Sequence, residues 1–408
     1  MKEKKMKLTI NKSSPSGVVT APPSKSMAHR LLICGGLSEG TSIIHGISLS
    51  QDVLATLDCL KALGAEFTCD GETVKIQGIG MPKCASEVLN CRESGSTLRF
   101  FLPLCMLSDS EKTLRGSETL LKRPLEVYRD ICRDQGISFT NDGEKITVCG
   151  RLTSNEYSVP GDVSSQFITG LLFALPFLPA DSTIRITPPI ESLSYINMTL
   201  DALHTFGVKA EWTDGVNISI KGGQHYSPRE VTVEGDYSNA AFFEALRCLG
   251  ADVSVTGLNK DSLQGDRIYT ELFEQLALGT PVIDISDCPD LGPILFAVAA
   301  AKNGGVFTGT RRLKIKESDR ASAMAEELSK LGAEVKVEEN SVTVIAASLH
   351  SPHCAISGHN DHRIVMSLAV LLTLVGGTID GAEAVNKSMP DFFEKMDDLG
   401  VKIQYETL

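Results

Sequence analysis

One segment pattern recurs along the whole chain. In six places an apolar, helix-like stretch ends in a glycine and is followed by strand-like alternation; the glycines are Gly64, Gly136, Gly207, Gly250, Gly332 and Gly400. Glycine adopts at little steric cost the left-handed conformation that closes a helix. This self-similarity predicts repeated supersecondary units rather than one irregular domain.

The first three copies continue into a hairpin. After the strand, each meets an Asp-Gly pair and a second alternating segment, at Asp70-Gly71, Asp142-Gly143 and Asp214-Gly215. Asp-Gly between alternating segments indicates a β-hairpin. Two strand–helix pairs are predicted before each hairpin; in the first unit they are the strand GVVTAP (17–22), a helix from about Ser24 to Leu37, the strand TSIIHGI (41–47) and a helix from about Ser50 to Leu63. The unit is therefore strand, helix, strand, helix, hairpin.

Six such units fill the 408 residues. The pattern predicts an α/β (α+β) fold with two domains of three units each, residues 22–232 and residues 1–21 plus 233–408. One unit is truncated, because TPVIDI (280–285) runs straight into the next helix at Pro289 without a hairpin. A continuous solenoid would require shorter and more uniform repeats.

Charge and cysteine content exclude several classes of protein. The 51 acidic and 39 basic side chains give a net charge of −12, which disfavours a general nucleic-acid or anionic-membrane surface. An anionic ligand would need a local basic pocket. The 11 cysteines are scattered, with no Cys-x-x-Cys pair, so reduced packing thiols in a soluble cytoplasmic protein are predicted rather than a disulfide framework or a zinc site.

Several helix starts carry groups suited to anions. Lys25 and Ser26 follow the N-cap candidate Ser24, where backbone N–H groups and the helix dipole favour negative charge; a solvated lysine is the alternative. R92-E-S-G-S-T-L-R99 and D162-V-S-S-Q166 also precede apolar helices. Their hydroxyls could bind a phosphate or simply cap the helix, and the sequence leaves both possibilities open.

Basic residues are densest in R311-R-L-K-I-K-E-S-D-R320. On a helix Lys316 and Arg320 would share one side and suit a dianion. G358-H-N-D-H-R363 begins a strongly apolar helix, and Lys387 precedes another. The spacing of His359 and His362 resembles that of metal ligands, but no third ligand fits, and no metal site is predicted.

The motifs together resemble the EPSP synthase family of enolpyruvyl transferases. The resemblance runs from end to end, through P23-S-K-S-M-A-H-R30, S94-G-S-T-L-R99, R123-P124, D162-V-S-S-Q166, S192-L-S-Y195, V233-E-G-D-Y-S-N239, P289-D290, K316-E-S-D-R320, N360-D-H-R363 and K387-S-M-P-D391. It implies a two-domain inside-out α/β barrel. It also implies a transferase that moves the enolpyruvyl group of phosphoenolpyruvate to the 5-hydroxyl of shikimate 3-phosphate, in chorismate and aromatic amino acid biosynthesis.

The resemblance also implies roles for individual residues. Lys25, Asp290 and Glu317 would be catalytic. The groups binding shikimate 3-phosphate would be Lys25, Ser26, Arg30, Ser164, Ser165, Gln166, Ser192, Tyr195, Asp290 and Lys316. The groups binding phosphoenolpyruvate would be Lys25, Gly95, Arg123, Gln166, Arg320, Arg363 and Lys387. A monomer is expected whose partners are the two small-molecule substrates, with no nucleic acid, no membrane, no metal and no organic cofactor.

Two alternatives and two departures accompany this resemblance. The sister enolpyruvyl transferase acting on UDP-N-acetylglucosamine typically has a reactive cysteine shortly before the equivalent of Arg123, whereas residues 106–131 contain none. A catalytically silent binding protein on the same fold is the other alternative. Glu93 and Arg312 stand where many relatives have asparagine, which could alter affinity for phosphoenolpyruvate.

Overall fold

A computed structural model describes residues 5–82 and 88–406. The parts of the chain that lie outside the described residues are 1–4, 83–87, which include Cys84, and 407–408. In chain order the strands are β1 (Lys7–Ile10), β2 (Ser16–Thr20), β3 (Thr41–His45), β4 (Glu66–Asp70), β5 (Thr73–Gln77), β6 (Val88–Asn90), β7 (Lys112–Arg115), β8 (Ser138–Asn141), β9 (Lys145–Cys149), β10 (Glu156–Pro160), β11 (Ser182–Thr187), β12 (Ala210–Trp212), β13 (Asn217–Ile220), β14 (Glu230–Thr232), β15 (Asp252–Thr256), β16 (Val282–Asp284), β17 (Gly305–Thr308), β18 (Glu334–Val337), β19 (Ser341–Ile345), β20 (Ile356–Ser357), β21 (Gly377–Asp380) and β22 (Ile403–Glu406).

The helices alternate with these strands. They are α1 (Lys25–Gly36), α2 (Gln51–Leu63), α3 (Gly95–Cys105), α4 (Glu118–Leu121), α5 (Glu126–Gln135), α6 (Ser165–Ala174), α7 (Leu193–Thr205), α8 (Tyr237–Cys248), α9 (Tyr269–Leu278), α10 (Gly292–Ala301), α11 (Arg320–Lys330), α12 (His362–Val375) and α13 (Phe392–Asp398). Short 3₁₀ turns lie at Leu175–Phe177, Gly265–Ile268, Pro289–Leu291, Arg311–Ile315 and Ala382–Lys387. Among the described residues no helix has the length and apolar character that crossing a membrane requires.

The chain divides into two compact units. The continuous unit is Pro23–Glu234, and the split unit is Met1–Pro22 with Gly235–Leu408. Each has its own hydrophobic core. Whether these units match independently folding domains with the predicted boundaries stays a prediction.

The continuous unit contains three sheets of identical topology. Their strand orders are β14-β3-β5-β4, β6-β7-β9-β8 and β10-β11-β13-β12. In each, the first pair is parallel and the other pairs are antiparallel. The three predicted repeats are therefore present as three copies of one sheet.

Helices fill the interior of the continuous unit. Ten of the 12 residues of α1 and ten of the 11 residues of α3 are buried, as expected for helices that are apolar around most of their circumference. The strands instead alternate, so that β5 and β13 bury every second side chain. One face of each sheet thus packs on the helices and the other meets solvent.

The assignment of the strand GVVTAP to the first repeat is wrong, although the predicted domain bounds placed residues 17–21 with residues 233–408. Its structured part, β2, pairs in parallel with β15 in the split unit. The first sheet of the continuous unit is completed instead by β14, where Glu230 pairs with Ile43 and Thr232 with His45. A strand from the end of the unit thereby completes its first repeat, a non-local pairing that local pattern does not encode.

The split unit repeats the same sheet twice and shortens it once. Its sheets are β16-β17-β19-β18, β20-β21-β1-β22 and the two-stranded β15-β2. The predicted truncated repeat is the two-stranded sheet. In the last repeat β1 occupies the position of the second hairpin strand, pairing antiparallel with β21 and β22.

The six repeat glycines end helices in the predicted way. Their φ angles lie between 68° and 111°, the left-handed region in which a side chain is strained. A strand begins two or three residues after each of them. The glycine pattern therefore located every repeat, including the copy at Gly250 that has no hairpin.

Helices α3 and α6 approach each other closely at Gly170. A Cβ added at Gly170 would stand 2.3 Å from the Arg99 carbonyl oxygen and 2.3 Å from the Tyr128 hydroxyl. That hydroxyl donates to the carbonyl oxygens of Arg99 at 2.6 Å and Phe167 at 3.1 Å. Since backbone atoms cannot rotate away as a side chain can, the approach of the two helices requires glycine.

Gly170→Ala should therefore destabilise the protein by about 1 to 3 kcal/mol, the usual cost of overpacking a core. This loss outweighs the gain of about 1 kcal/mol that alanine brings to a helix interior. Urea denaturation would measure it, with Gly215→Ala as the control because nothing lies within 4 Å of that Cβ position. Equal stability of Gly170→Ala and the wild type would contradict the close approach.

Candidate active site

The start of α1 lies where the sequence predicted it. Ser24 caps the helix by accepting from the Met27 N–H at 3.3 Å. The Lys25 ammonium group lies 2.8 Å from the Asp52 carboxylate of α2. The negative charge beside Lys25 is therefore supplied by Asp52, a residue of the chain itself. Asp52 was not identified from the sequence. The pair is only partly buried, with 16% and 13% of the side chains exposed.

Arg30, one turn later, is enclosed by the continuous unit. Its guanidinium donates to the Ser26 carbonyl at 2.7 Å, the Tyr195 carbonyl at 2.9 Å and the Thr199 hydroxyl at 2.9 Å. Burial lowers the pKa of Arg30 to about 10, so the group stays charged at neutral pH. Arg30 links α1 to α7 and so orients Ser26 and Tyr195 relative to each other.

The start of α3 brings Gly95 against a second arginine. Ser94 caps the helix through the Thr97 N–H, and a Cβ at Gly95 would stand 2.6 Å from Nη1 of Arg123. Any side chain at this position would displace the guanidinium. Glycine at this position therefore leaves room for the guanidinium of Arg123 where the structure places it.

Gln166 is fixed by groups from α3. Its amide oxygen accepts from Arg99 at 2.7 Å, and its amide nitrogen donates to the Ser96 hydroxyl at 3.0 Å. The buried Arg99 also lies over the Phe167 ring, 5.0 Å from its centroid. The sequence contained Arg99 within a motif but gave it no role; the structure shows that it orients Gln166.

The serines at the starts of α6 and α7 are placed differently. Ser164 caps α6 by accepting from the Gln166 N–H at 3.3 Å, and Ser165 is the first helical residue and is buried. Ser192 precedes α7 with a φ of 58°, a strained value for a residue with a side chain. Such strain persists only where surroundings enforce it and is common at functional sites.

A chain of hydroxyl groups joins the first three helices. His29 Nδ1 lies 2.7 Å from the Thr56 hydroxyl, which lies 2.9 Å from that of Thr97, which donates to Ser94 at 2.8 Å. Burial is the main cause that holds the pKa of His29 well below its ordinary value, with the charges of Lys25 and Arg30 adding to it. A neutral His29 thus supports the cap of α3, which sequence motifs alone did not reveal.

Asp290 is the centre of the polar cluster in the split unit. Its Oδ1 lies 2.8 Å from Arg320 Nη1 and 3.2 Å from Lys316 Nζ, and its Oδ2 lies 3.1 Å from Arg363 Nη2. Arg363 also donates to the Asp290 carbonyl at 3.0 Å. Burial by itself would raise the pKa of the Asp290 carboxyl, but Arg363, Lys316 and Arg320 together hold it well below its usual range.

Arg320 forms ion pairs with three carboxylates. Besides Asp290 it donates to Glu317 at 2.6 Å and to Asp361 at 2.8 Å, and its side chain is 2% exposed. The expectation that Lys316 and Arg320 share one helix face is wrong, because α11 begins only at Arg320. The two cations meet at Asp290 instead, and loss of water contacts lowers the pKa of Lys316 despite that carboxylate.

Lys387 completes the set of predicted cations. It lies at the end of the 3₁₀ turn Ala382–Lys387, is buried, and donates to the Asn360 carbonyl at 2.7 Å. The six predicted residues of the split unit are thereby joined in one network through Asp290, Asp361 and the turn that contains Asn360. They are Asp290, Lys316, Glu317, Arg320, Arg363 and Lys387.

A buried carboxyl group near this cluster was missed. Asp266 is 3% exposed, and burial together with the negative charge of Asp290 raises its pKa to about 7. The two aspartates therefore titrate far apart, a pattern typical of sites that handle protons. Its sequence surroundings, S262-L-Q-G-D266, carry no charge signal that would have indicated this.

Among the described residues, one group has metal-like composition: Glu326, Glu327 and His359. The Lys330 ammonium lies 2.8 Å from Glu327 and 3.2 Å from Glu326. The two carboxylates share the single charge of Lys330, and His359 Nε2 lies 2.7 Å from Glu327, so the group is an ion-pair cluster of the chain's own residues.

Comparison with known proteins agrees with the motifs. The family model described as EPSP synthase (3-phosphoshikimate 1-carboxyvinyltransferase) matches residues 11–396. The chain belongs to the EPSP synthase family. Relatives named 3-phosphoshikimate 1-carboxyvinyltransferase include one from Clostridium kluyveri, 40% identical over 97% of this chain and 98% of the relative. Another, from Clostridium novyi, is 38% identical over 96% of this chain and 97% of the relative.

Solved structures of this family have the same fold. EPSP synthase from Acinetobacter baumannii superposes with a TM-score of 0.79 at 25% identity, covering 98% of this chain and all of the other. The enolpyruvyl transferase NikO from Streptomyces tendae has a TM-score of 0.79 at 16% identity, covering 99% of each chain, a likeness of fold alone. The predicted α/β class and two-domain inside-out architecture are confirmed.

The raised pKa of Asp266 predicts a pH-dependent stability. A folded-state pKa of about 7 exceeds the ~3.9 of an unfolded aspartate, so this group's contribution is complete below about pH 4 and is lost as the pH rises to 7. Asp266→Asn mimics the neutral acid. Its stability relative to the wild type should therefore increase across that interval, by at most about 1.4 kcal/mol per pH unit.

Urea denaturation of both proteins at several pH values would measure this difference. It should rise between about pH 4 and 7 and then level off. A difference that stays constant over this interval would show that folding does not raise the pKa of Asp266.

Proposed function

We propose that the polar clusters of the two units supply the substrate-binding and catalytic groups for enolpyruvyl transfer. Transfer from phosphoenolpyruvate to shikimate 3-phosphate, a step of aromatic amino acid biosynthesis, is the activity that family membership assigns to the chain. The observation that supports the residue assignment best is the gathering of Lys316, Arg320 and Arg363 around one carboxylate. Each substrate brings a phosphate and a carboxylate, the groups that such cations bind.

For shikimate 3-phosphate, the proposal uses the helix starts of the continuous unit. Ser26, Ser164, Ser165 and Ser192 offer hydroxyl and backbone N–H groups at helix N-termini, which favour a phosphate. Tyr195 adds an aromatic face and a hydroxyl, and Arg30 holds Ser26 and Tyr195 in place. Lys25, Gln166, Asp290 and Lys316 complete the assigned set.

For phosphoenolpyruvate, the proposal uses arginine and lysine from both units. Arg123, Arg320, Arg363 and Lys387 match phosphate and carboxylate groups, since guanidinium forks bind both bidentately. Gly95 admits Arg123 to its position. Lys25 and Gln166 complete the set.

The reaction needs a base for the attacking hydroxyl and an acid for the methylene carbon. Asp290 is the proposed base, and Glu317 with Lys25 the proposed acid/base pair. With three cations around it, Asp290 is a weak base. Substrate anions that draw those cations away would raise the pKa of Asp290 and so strengthen it as a base.

Two alternatives remain distinguishable. An enzyme for UDP-N-acetylglucosamine is disfavoured because residues 106–131 lack the cysteine expected there. A silent binding protein is disfavoured by the retained Lys25, Asp290, Glu317 and Arg363. A monomer acting in the cytoplasm, without a metal or organic cofactor, stays a prediction.

Phosphate release with each acceptor would separate these functions. Phosphoenolpyruvate with shikimate 3-phosphate should release phosphate, whereas phosphoenolpyruvate with UDP-N-acetylglucosamine should not. Release with the second acceptor only would assign the chain to the sister activity. Binding of both substrates without release would support the silent protein.

Lys25→Met should lower kcat by ~10²-fold or more, because a positioned charge is lost where phosphate leaves. The apolar stem of the side chain is kept, so the fold should persist. Since Lys25 also pairs with Asp52, Asp52→Asn is the matched control: it breaks the same pair but keeps the ammonium group. Equal losses in both variants, or near-normal kcat in Lys25→Met, would contradict a catalytic role for Lys25.

A further inference from the structure

The turn Gly358–Asp361 has an unfavourable backbone. His359 and Asn360 are consecutive non-glycine residues with φ angles of 48° and 52°, and each such residue costs on the order of 1 to 3 kcal/mol unless its surroundings enforce it. Only part of this is enforced by backbone bonds, from Gly358 N–H to the Asp380 carbonyl at 2.8 Å and from Asp361 N–H to the Gly358 carbonyl at 2.9 Å. Side chains must supply the rest.

This turn presents acceptors to the cations of the split unit. The Asn360 carbonyl accepts from Lys387 at 2.7 Å. The fully buried Asp361 carboxylate accepts from Arg320 Nε at 2.8 Å and caps α12 through the Arg363 N–H at 2.9 Å. Lys387, Arg320 and Arg363 therefore all depend on the conformation of one turn.

The buried carboxylate of Glu327, on α11, makes hydrogen bonds to that turn and to the residue before it. Its Oε1 lies 2.7 Å from His359 Nε2, and its Oε2 accepts from the Ser357 N–H at 2.9 Å. The Ser357 hydroxyl in turn accepts from the His359 N–H at 3.1 Å. Glu327 lies seven residues after Arg320, two helical turns along α11. One helix therefore carries both Arg320, a proposed substrate-binding cation, and Glu327, which contacts the turn that supplies a hydrogen-bond acceptor to Arg320.

The ion pair with Lys330 is not the only interaction of the buried Glu327 carboxylate. Its side chain is 0% exposed, and Lys330 supplies the opposite charge at 2.8 Å. A buried carboxylate is costly unless paired and fully hydrogen-bonded. Lys330 also pairs with the exposed Glu326 at 3.2 Å, so its one charge is shared between two carboxylates. The two further donors are the side chain of His359, within the strained turn, and the N–H of Ser357, the residue directly before it.

We propose that Glu327, acting through His359, is a positioning residue that fixes the turn Gly358–Asp361 and thereby the placement of Lys387, Arg320 and Arg363. This inference rests on the proposed function, in which those three cations bind phosphoenolpyruvate. It also gives a role to His359, whose spacing from His362 resembles that of metal ligands.

Glu327→Gln should raise the KM for phosphoenolpyruvate about 10-fold, the lower end of what loss of an orienting group behind a ligand costs. The KM for shikimate 3-phosphate should change less than about twofold, since the groups proposed to bind it lie mainly elsewhere. The amide keeps the size of the side chain but loses the charge and replaces one acceptor oxygen by an NH2 group, which cannot accept from His359 or from the Ser357 N–H. Steady-state phosphate release measures both constants.

Glu326→Gln is the matched control, because Glu326 neighbours Glu327, also pairs with Lys330, and is exposed. It should leave both constants unchanged. His359→Ala should reproduce the selective effect of Glu327→Gln, and His359→Gln, which retains a donor, should recover part of the loss. Folding of each variant is checked by circular dichroism.

The outcomes are distinguishable. A wild-type protein that releases no phosphate from the two substrates overturns the proposed function itself. An active wild type whose Glu327→Gln and His359→Ala variants keep a normal KM for phosphoenolpyruvate overturns the positioning role. A lower kcat with both KM values unchanged also overturns it, since that result reports only a smaller fraction of folded enzyme.

Discussion

The carboxylate of Asp290, surrounded by Arg320, Arg363 and Lys316, is the interaction on which the split unit's polar cluster depends. It joins the 3₁₀ turn Pro289–Leu291 to the starts of α11 and α12. Arg320 and Arg363 are buried; buried cations are stable only beside opposite charge, and removing one partner of such a group typically costs about 3 to 5 kcal/mol. Asp290, Glu317 and Asp361 supply that charge.

The same arrangement gives a protein of net charge −12 a local group of cations, which is what the proposed binding of anionic substrates requires. Near Asp290, the buried side chains of Arg320, Arg363 and Lys387 are each held by carboxylate or carbonyl oxygens. The continuous unit follows a different rule. There, helix N-termini capped by Ser24, Ser94 and Ser164 offer mostly neutral donors, with Lys25 already paired to Asp52. Such donors suit a phosphate without a large desolvation cost.

Local features of the fold were predictable from the sequence, and non-local ones were not. The repeat glycines, the hairpin turns and the caps of α1, α3 and α6 depend on a few neighbouring residues whose chemistry is specific. The partners of β1 and β2 depend on strands hundreds of residues away, so the pattern of GVVTAP could not assign it to the correct sheet.

The candidate site divides in the same way. Motifs located Arg320, Arg363 and Lys387, because charged residues at helix starts are conspicuous. They could not locate Asp52, Asp266 or Glu327, whose roles arise only when burial brings separate elements together. Charge spacing also misplaced Lys316 on a helix, since the start of α11 is set by the Asp319 cap.

The central claim is that the cations paired with the chain's own carboxylates are the substrate-binding groups. A crystal structure with shikimate 3-phosphate and an unreactive analogue of phosphoenolpyruvate would test it most directly. Phosphate or carboxylate oxygens of the analogue should lie within hydrogen-bonding distance of Arg363 and Lys387, and Asp290 should have lost at least one of its three cationic partners. A complex in which Asp290 keeps all three partners, with the analogue bound away from Arg363 and Lys387, would contradict the account.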